Sequence, residues 1–211
     1  KRQTMDNFKE WLSKAKLSEK DHQVAGLRWC IEREISSILN AKGKPGGLIA
    51  DEMGLGKTIL SLGLIISNFL PRTLIVLPPS LIPQWTDEIV RLLGHTPVVY
   101  WGAKKTKITP EKLNTAPIVI TSYSHISCDN SAAPGNTGLR VLHAYDWDRV
   151  IFDEAHHMRN RKMNYLGAMR LKSKITWLLT GTPIHNKISD LKASFALLAR
   201  DLPSSKIDCQ H

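Results

Sequence analysis

Six short apolar runs set the strongest limit on what this chain can fold into. They are GLIA at 47–50, TLIVL at 73–77, PVVYW at 97–101, IVIT at 118–121, RVIF at 149–152 and ITWLLT at 175–180. All are rich in β-branched or aromatic residues, and none alternates polar with apolar. A strand that reads this way is covered on both faces, as in a parallel sheet. Helical patterns lie between the runs, at 58–69, at 81–93, where Leu81, Trp85, Ile89 and Leu92 recur at helical spacing, and at 188–199. Strands alternating with helices predict right-handed βαβ units, hence an α/β domain with a mostly parallel sheet and helices on both faces. The segment 129–139, DNSAAPGNTGL, is expected to be a mobile surface insertion. There is no internal repeat.

A length of 211 residues suits one domain with a sizeable core. The chain carries 29 Lys and Arg against 19 Asp and Glu, a formal charge of +10 that points towards a polyanionic partner. Its three cysteines, Cys30, Cys128 and Cys209, form neither a disulfide framework nor a zinc pattern, so a reducing compartment is expected. No apolar run approaches the ~20 residues that span a bilayer, and no membrane partner is expected. Residue 1 is Lys rather than Met, which suggests a piece of a longer protein.

The sequence LIADEMGLGKTI at 48–59 stands between the first strand and a helix. Gly54, Gly56, Lys57 and Thr58 supply the parts of a phosphate-binding loop. Glycines let the backbone approach the phosphates, and the helix N-terminus offers its positive end. Lys57 would reach the β and γ phosphates, and the Thr58 hydroxyl would bind magnesium. The first position of the signature holds Asp51, followed by Glu52, where glycine is usual. That position only has to leave the strand, and both carboxylates must point away from the nucleotide.

A second strand, RVIF, ends in DEAHH at 153–157. Ligands in open α/β sheets bind at the carboxyl ends of strands, where Asp153 and Glu154 would emerge. Asp153 suits a magnesium ligand, and Glu154 suits the base that orients and deprotonates an attacking water.

DEMGLGKT (51–58), DEAH (153–156) and LLTGTPIHN (178–186) together resemble the first RecA-like lobe of a superfamily-2 helicase-type motor. Their wording is similar to the Swi/Snf family of DNA-dependent ATPases, in which Asp is characteristic at the first loop position. The similarity runs from about residue 17 to 200, with a flavour of the post-replication-repair and transcription-termination branch in 17–34. It implies a single domain over 1–211, with 1–16 a flexible or helical lead-in and the second RecA-like lobe, with its arginine finger, outside this chain. It implies ATP and magnesium as cofactors. The nucleotide site would comprise Gln23, reading the adenine, and the loop Asp51, Glu52, Met53, Gly54, Leu55, Gly56, Lys57 and Thr58. Lys57, Asp153 and Glu154 would carry the catalysis, with magnesium on Thr58 and Asp153. His156, Thr180, Gly181 and Thr182 would couple nucleotide to DNA, and Ser80, Thr121, Ser122 and Tyr123 would lie near the nucleic-acid backbone. The implied partner is double-stranded DNA, nucleosomal or polymerase-associated, met by a nuclear monomer.

Alternatives remain beside this reading. One is a DEAH-type RNA or strand-separating helicase lobe, against which the Swi/Snf wording of the loop and of TGTPI-x-N speaks, and the other is a catalytically silent binding module of the same fold. The intact Lys57, Thr58, Asp153 and Glu154 speak against the silent module. Trp85 shares its stripe with Ile89 and reads as core rather than as a DNA contact. His157 reads as a surface or structural histidine, and GAKKTKI (102–108) as a solvated turn. The stretch 155–174 has six Lys and Arg and no acid, which fits a solvated face and a phosphate track equally.

Overall fold

The computed structural model describes residues 2–18, 20–40, 45–50, 56–128, 138–159, 162–181 and 196–198. Two helices lead the chain, α1 (Arg2–Lys14) and α2 (Asp21–Asn40), followed by β1 (Gly46–Ile49) and α3 (Lys57–Ser67). Then come β2 (Thr73–Leu77), α4 (Ile82–Leu93), β3 (Val98–Tyr100), α5 (Pro110–Thr115) and β4 (Ile118–Ser122). The described elements close with β5 (Asp146–Phe152), α6 (His156–Arg159), α7 (Lys162–Arg170) and β6 (Lys172–Leu179).

All six strands pair in parallel, in the order β1-β6-β5-β2-β4-β3. Every expected run is a strand of this sheet. β5 and β6 begin earlier than their apolar runs, at Asp146 and Lys172, because their first residues are partly solvated and carry charge. Successive side chains point to opposite faces. Ile75, Leu77, Ile120, Ile151 and Trp177 therefore join α1, α2, α3 and α4 in one apolar layer. Leu74, Val76, Val119, Val150, Phe152 and Leu178 join Leu113, Ala168 and Leu171 in the other.

The lead-in is helical and packed. Phe8 and Leu12 of α1 are buried, and the Trp11 indole donates to Leu92 O of α4 at 2.7 Å. A Cβ on Gly63 would run into the Phe8 ring, so glycine there lets α1 lie close on α3. Helix α2 is fixed through its last third. Glu34 and Arg149 are both 0% exposed and form a bidentate pair, Nε to Oε1 at 2.7 Å and Nη2 to Oε2 at 2.6 Å. Trp177 Nε1 (2.8 Å) and Asn68 Nδ2 (2.6 Å) donate to the same carboxylate. The result ties α2 to β5, β6 and the end of α3. Most of the insertion, 129–137, and most of the expected helix at 188–199 lie outside the described residues; Ala196–Leu198 within the latter are helical.

Candidate nucleotide site

Because all strands run the same way, the segments after β1, β2, β4, β5 and β6 reach the same rim of the sheet. This topology gathers Gly56–Thr58, Ser80, Thr121–Tyr123, Asp153–Glu154 and Thr180–Gly181.

Helix α3 starts at Lys57, and its N-cap, Gly56, sits in the left-handed region at φ 85°. A side chain there would be strained, and its Cβ would strike the Gln23 amide. Gln23, buried on α2, is thus held against the loop. The first helical bond of α3 runs from Leu60 N–H to Gly56 O at 2.9 Å. The amides of Thr58 and Ile59 precede it, at the positive end of a helix with no acid in its first turn. Asp51, Glu52, Met53, Gly54 and Leu55 lie outside the described residues, as does Thr182.

Asp153 follows β5 and is 5% exposed. Its main-chain N–H donates to Val76 O at 2.9 Å, continuing the ladder one step past the strand. Oδ1 accepts the Glu154 N–H at 2.8 Å, and Oδ2 accepts the Trp85 indole N–H at 2.9 Å. The Tyr123 hydroxyl donates to Asp153 O at 2.6 Å. Burial raises the Asp153 carboxyl above its ordinary range, and the Glu154 and Trp85 N–H groups oppose that rise. Burial, with the Asp153 and Glu154 charges behind it, pushes the Tyr123 hydroxyl well up, so it remains a donor.

Glu154 has φ 48°, a left-handed conformation in a residue with a side chain. Such backbone costs on the order of 1–3 kcal/mol and is concentrated at functional sites. Its carboxylate pairs with His156 Nδ1 at 3.1 Å, and the His156 and His157 rings lie 4.6 Å apart. Ala155 N–H donates to Leu179 O and Thr180 N–H to Ile49 O, at 2.9 and 3.0 Å. The DEAH turn is therefore stitched directly to the end of β6, beside Thr180 and Gly181.

A cleft of about 310 Å³ opens between these parts, lined by Gly56, Lys57, Thr58, Trp85, Asp153 and Glu154 among others. Sequence reading missed Gln84 and Glu88, which also line it from α4. Their spacing of four put them on one helix face, which was the available signal. The Thr58 hydroxyl and the two carboxylates form an oxygen-only donor set. That fits magnesium, which is commonly held by one or two protein oxygens together with substrate phosphates.

The nucleic-acid residues divide. Ser80 is exposed in the turn Pro79–Leu81 ahead of α4. The side chains of Thr121, Ser122 and Tyr123 do not face outward. Thr121 and Ser122 are fully buried, and Tyr123 is nearly so. Thr121 donates to Tyr100 O, and Ser122 Oγ bonds Ser124 and His125, because the strand continues through Ser122 before the chain turns. The exposed hydroxyl here is that of Ser124.

An all-parallel sheet of this order, with a helix N-terminus and an acidic strand end on one rim, defines a RecA-like ATPase core. The chain belongs to the SNF2-related domain family, whose pattern matches residues 22–207. It is 37% identical over 175 residues to the DNA repair protein rad8 of Schizosaccharomyces pombe, covering 69% of this chain and 15% of that protein. It is 32% identical over 199 residues to the ATP-dependent DNA helicase DDM1 of Arabidopsis thaliana, covering 88% and 24%. The Sulfolobus solfataricus SWI2/SNF2 ATPase core in complex with dsDNA superposes with a TM-score of 0.68 at 27% identity, covering 90% of this chain and 37% of that one. This chain therefore spans about a quarter or less of the two curated relatives. Among the described residues, no helix is long and apolar enough to cross a membrane.

Proposed function

We propose that this domain is the first lobe of an ATP-dependent double-stranded-DNA translocase of the remodeller type, acting in the nucleus on nucleosomal or polymerase-associated DNA. One observation carries the reading. The open end of α3, with Lys57 and Thr58, and the Asp153–Glu154 pair, buried at Asp153 and part-exposed at Glu154, share one cleft. The α3 amides and the Lys57 ammonium would bind the β and γ phosphates, and Gln23, against Gly56, would meet the adenine side. Thr58 and Asp153 would hold magnesium, which when bound offsets the charge developing on the phosphates. Glu154 would take the proton of the attacking water, with His156 Nδ1 3.1 Å from its carboxylate. Thr180, Gly181 and Thr182 would pass the state of the nucleotide towards DNA. The second lobe of the same polypeptide would add the arginine that stabilises the transferring phosphoryl group, an effect worth roughly 10³ to 10⁵ in rate in related enzymes. A dsDNA complex of a structural relative and a DNA repair relative support duplex DNA as the partner.

Three measurements test the assignment. Lys57→Ala in the full-length protein is expected to abolish ATP turnover with the fold intact, because Lys57 meets phosphate charge rather than core; near-normal stimulated turnover would defeat it. The 211-residue chain alone is expected to be monomeric and to show almost no DNA-stimulated turnover. Stimulation of the full-length protein by RNA rather than duplex DNA would favour an RNA helicase instead.

A further inference from the structure

We propose that Trp85 and Tyr123 are positioning residues for Asp153, two buried donors that lock the acid's side chain and main chain so that its remaining lone pairs face the metal position beside Thr58. This rests on the reading of Asp153 as a magnesium ligand. The indole N–H fixes Oδ2 at 2.9 Å, and the phenol fixes the carbonyl of the same residue at 2.6 Å. With the Glu154 amide on Oδ1 at 2.8 Å, the plane of the carboxylate is set from both oxygens. Each carboxylate oxygen accepts about two hydrogen bonds, so one acceptor direction per oxygen remains uncommitted.

Both donors are confined by packing. Trp85 is 1% exposed on α4, packed in the apolar layer with Ile82 and Ile89. The Tyr123 ring is stacked between Phe152 at 6.3 Å and His157 at 6.0 Å. A buried tryptophan could have satisfied its N–H on any nearby carbonyl, as Trp11 and Trp147 do on Leu92 O and Leu142 O. Trp85 instead directs its donor to an acid that opens into the cleft. Groups that orient a metal's ligand are commonly worth about 10- to 100-fold in metal affinity.

The test uses Trp85→Phe and Tyr123→Phe in the full-length protein, each removing a donor while keeping an aromatic ring. Binding of a fluorescent ADP analogue is followed against magnesium concentration, with binding in EDTA and the unfolding midpoint measured alongside. Trp85→Phe is expected to raise the magnesium needed for half-maximal effect by about tenfold, and Tyr123→Phe by a smaller factor, with EDTA binding unchanged. Lower thermal stability with an unmoved magnesium midpoint would assign both residues to packing and overturn the proposal. If Trp85→Phe does not fold, Tyr123→Phe decides by the same criterion. Nucleotide binding of the unsubstituted protein that ignores magnesium would remove the underlying assignment of Asp153, a failure visible before any variant is made.

Discussion

Among the described residues, two carboxylates are buried, each receiving an indole N–H, and they have opposite settings. Glu34 is enclosed with its cation. Arg149 forms two bonds to it, and Asn68 and Trp177 complete its shell. Asp153 receives N–H groups from Trp85 and Glu154, the Lys57 charge across the cleft lowers its carboxyl only as the weakest influence, behind burial, and one side opens into the cleft. The first is a closed charge balance that holds elements together. The second is an acid whose charge is left for something that arrives. The closed cluster also serves the open one, because Glu34 lies on α2, the helix that carries Gln23 to Gly56.

The largest effect that could break this contrast is expected at the closed cluster. Arg149→Met leaves Glu34 charged, buried and without its cation, which should cost about 3–5 kcal/mol of unfolding free energy. Urea unfolding of the 211-residue chain measures it. Asp153 lies four residues further along, roughly 13 Å at strand rise, so nucleotide binding per folded molecule should survive. A loss below about 1 kcal/mol, the range of exposed ion pairs, would mean that the cluster is not closed to water.

The two clusters were unequally legible in the sequence. DEAH after an apolar strand and GKT before a helix are local patterns tied to local structure, so Lys57, Thr58, Asp153 and Glu154 could be read directly. The strands were legible for a similar reason, since the stretches of a strand that are covered on both faces must be apolar, although the charged starts of β5 and β6 were not. Glu34 and Arg149 are 115 residues apart, and nothing local marks them as partners. The role of Trp85 was half visible. Its helical spacing placed it in the core, but which acceptor its N–H finds depends on where β5 ends. The burial of Thr121, Ser122 and Tyr123 was not legible, because the extension of β4 through Ser122, which turns those side chains inward, has no local mark in the sequence.

The second effect sharpens the open side of the contrast. Glu154→Gln removes the base but keeps the size and most of the hydrogen bonding, so ATP should still bind while hydrolysis falls by about 10²-fold or more. A hundredfold is about 2.7 kcal/mol of barrier. Asp153→Asn should weaken magnesium-dependent binding instead. Nucleotide titrations with and without magnesium, beside single-turnover rates, separate the two. Equal loss of binding in both variants would show that Asp153 and Glu154 act as one acidic patch.

The smallest effect concerns pH, and it asks whether Asp153 lowers the stability of the empty domain. Burial raises its folded-state carboxyl above the ordinary value of 3.8. Between that value and the folded one, the native state holds more proton than the unfolded state, so this group's contribution to stability falls as pH rises. It is fully present below the ordinary carboxylate range, and above the folded value the remaining cost is constant. Asp153→Asn cannot titrate. Its amide does place an NH₂ where Trp85 or Glu154 donates an N–H, a fixed cost that moves the absolute midpoint and leaves the pH dependence alone. The stability of Asp153→Asn minus that of the unsubstituted chain should therefore climb as pH rises from about 3.5 and flatten before neutrality. For a domain of this size each kcal/mol appears as roughly 2–4 °C in the unfolding midpoint. A difference that stays flat across this range would mean that Asp153 is solvated in the native state, and one that falls would mean that a cation already compensates it. Either result would make Asp153 resemble Glu34, and the distinction between a closed charge and an open one would be lost.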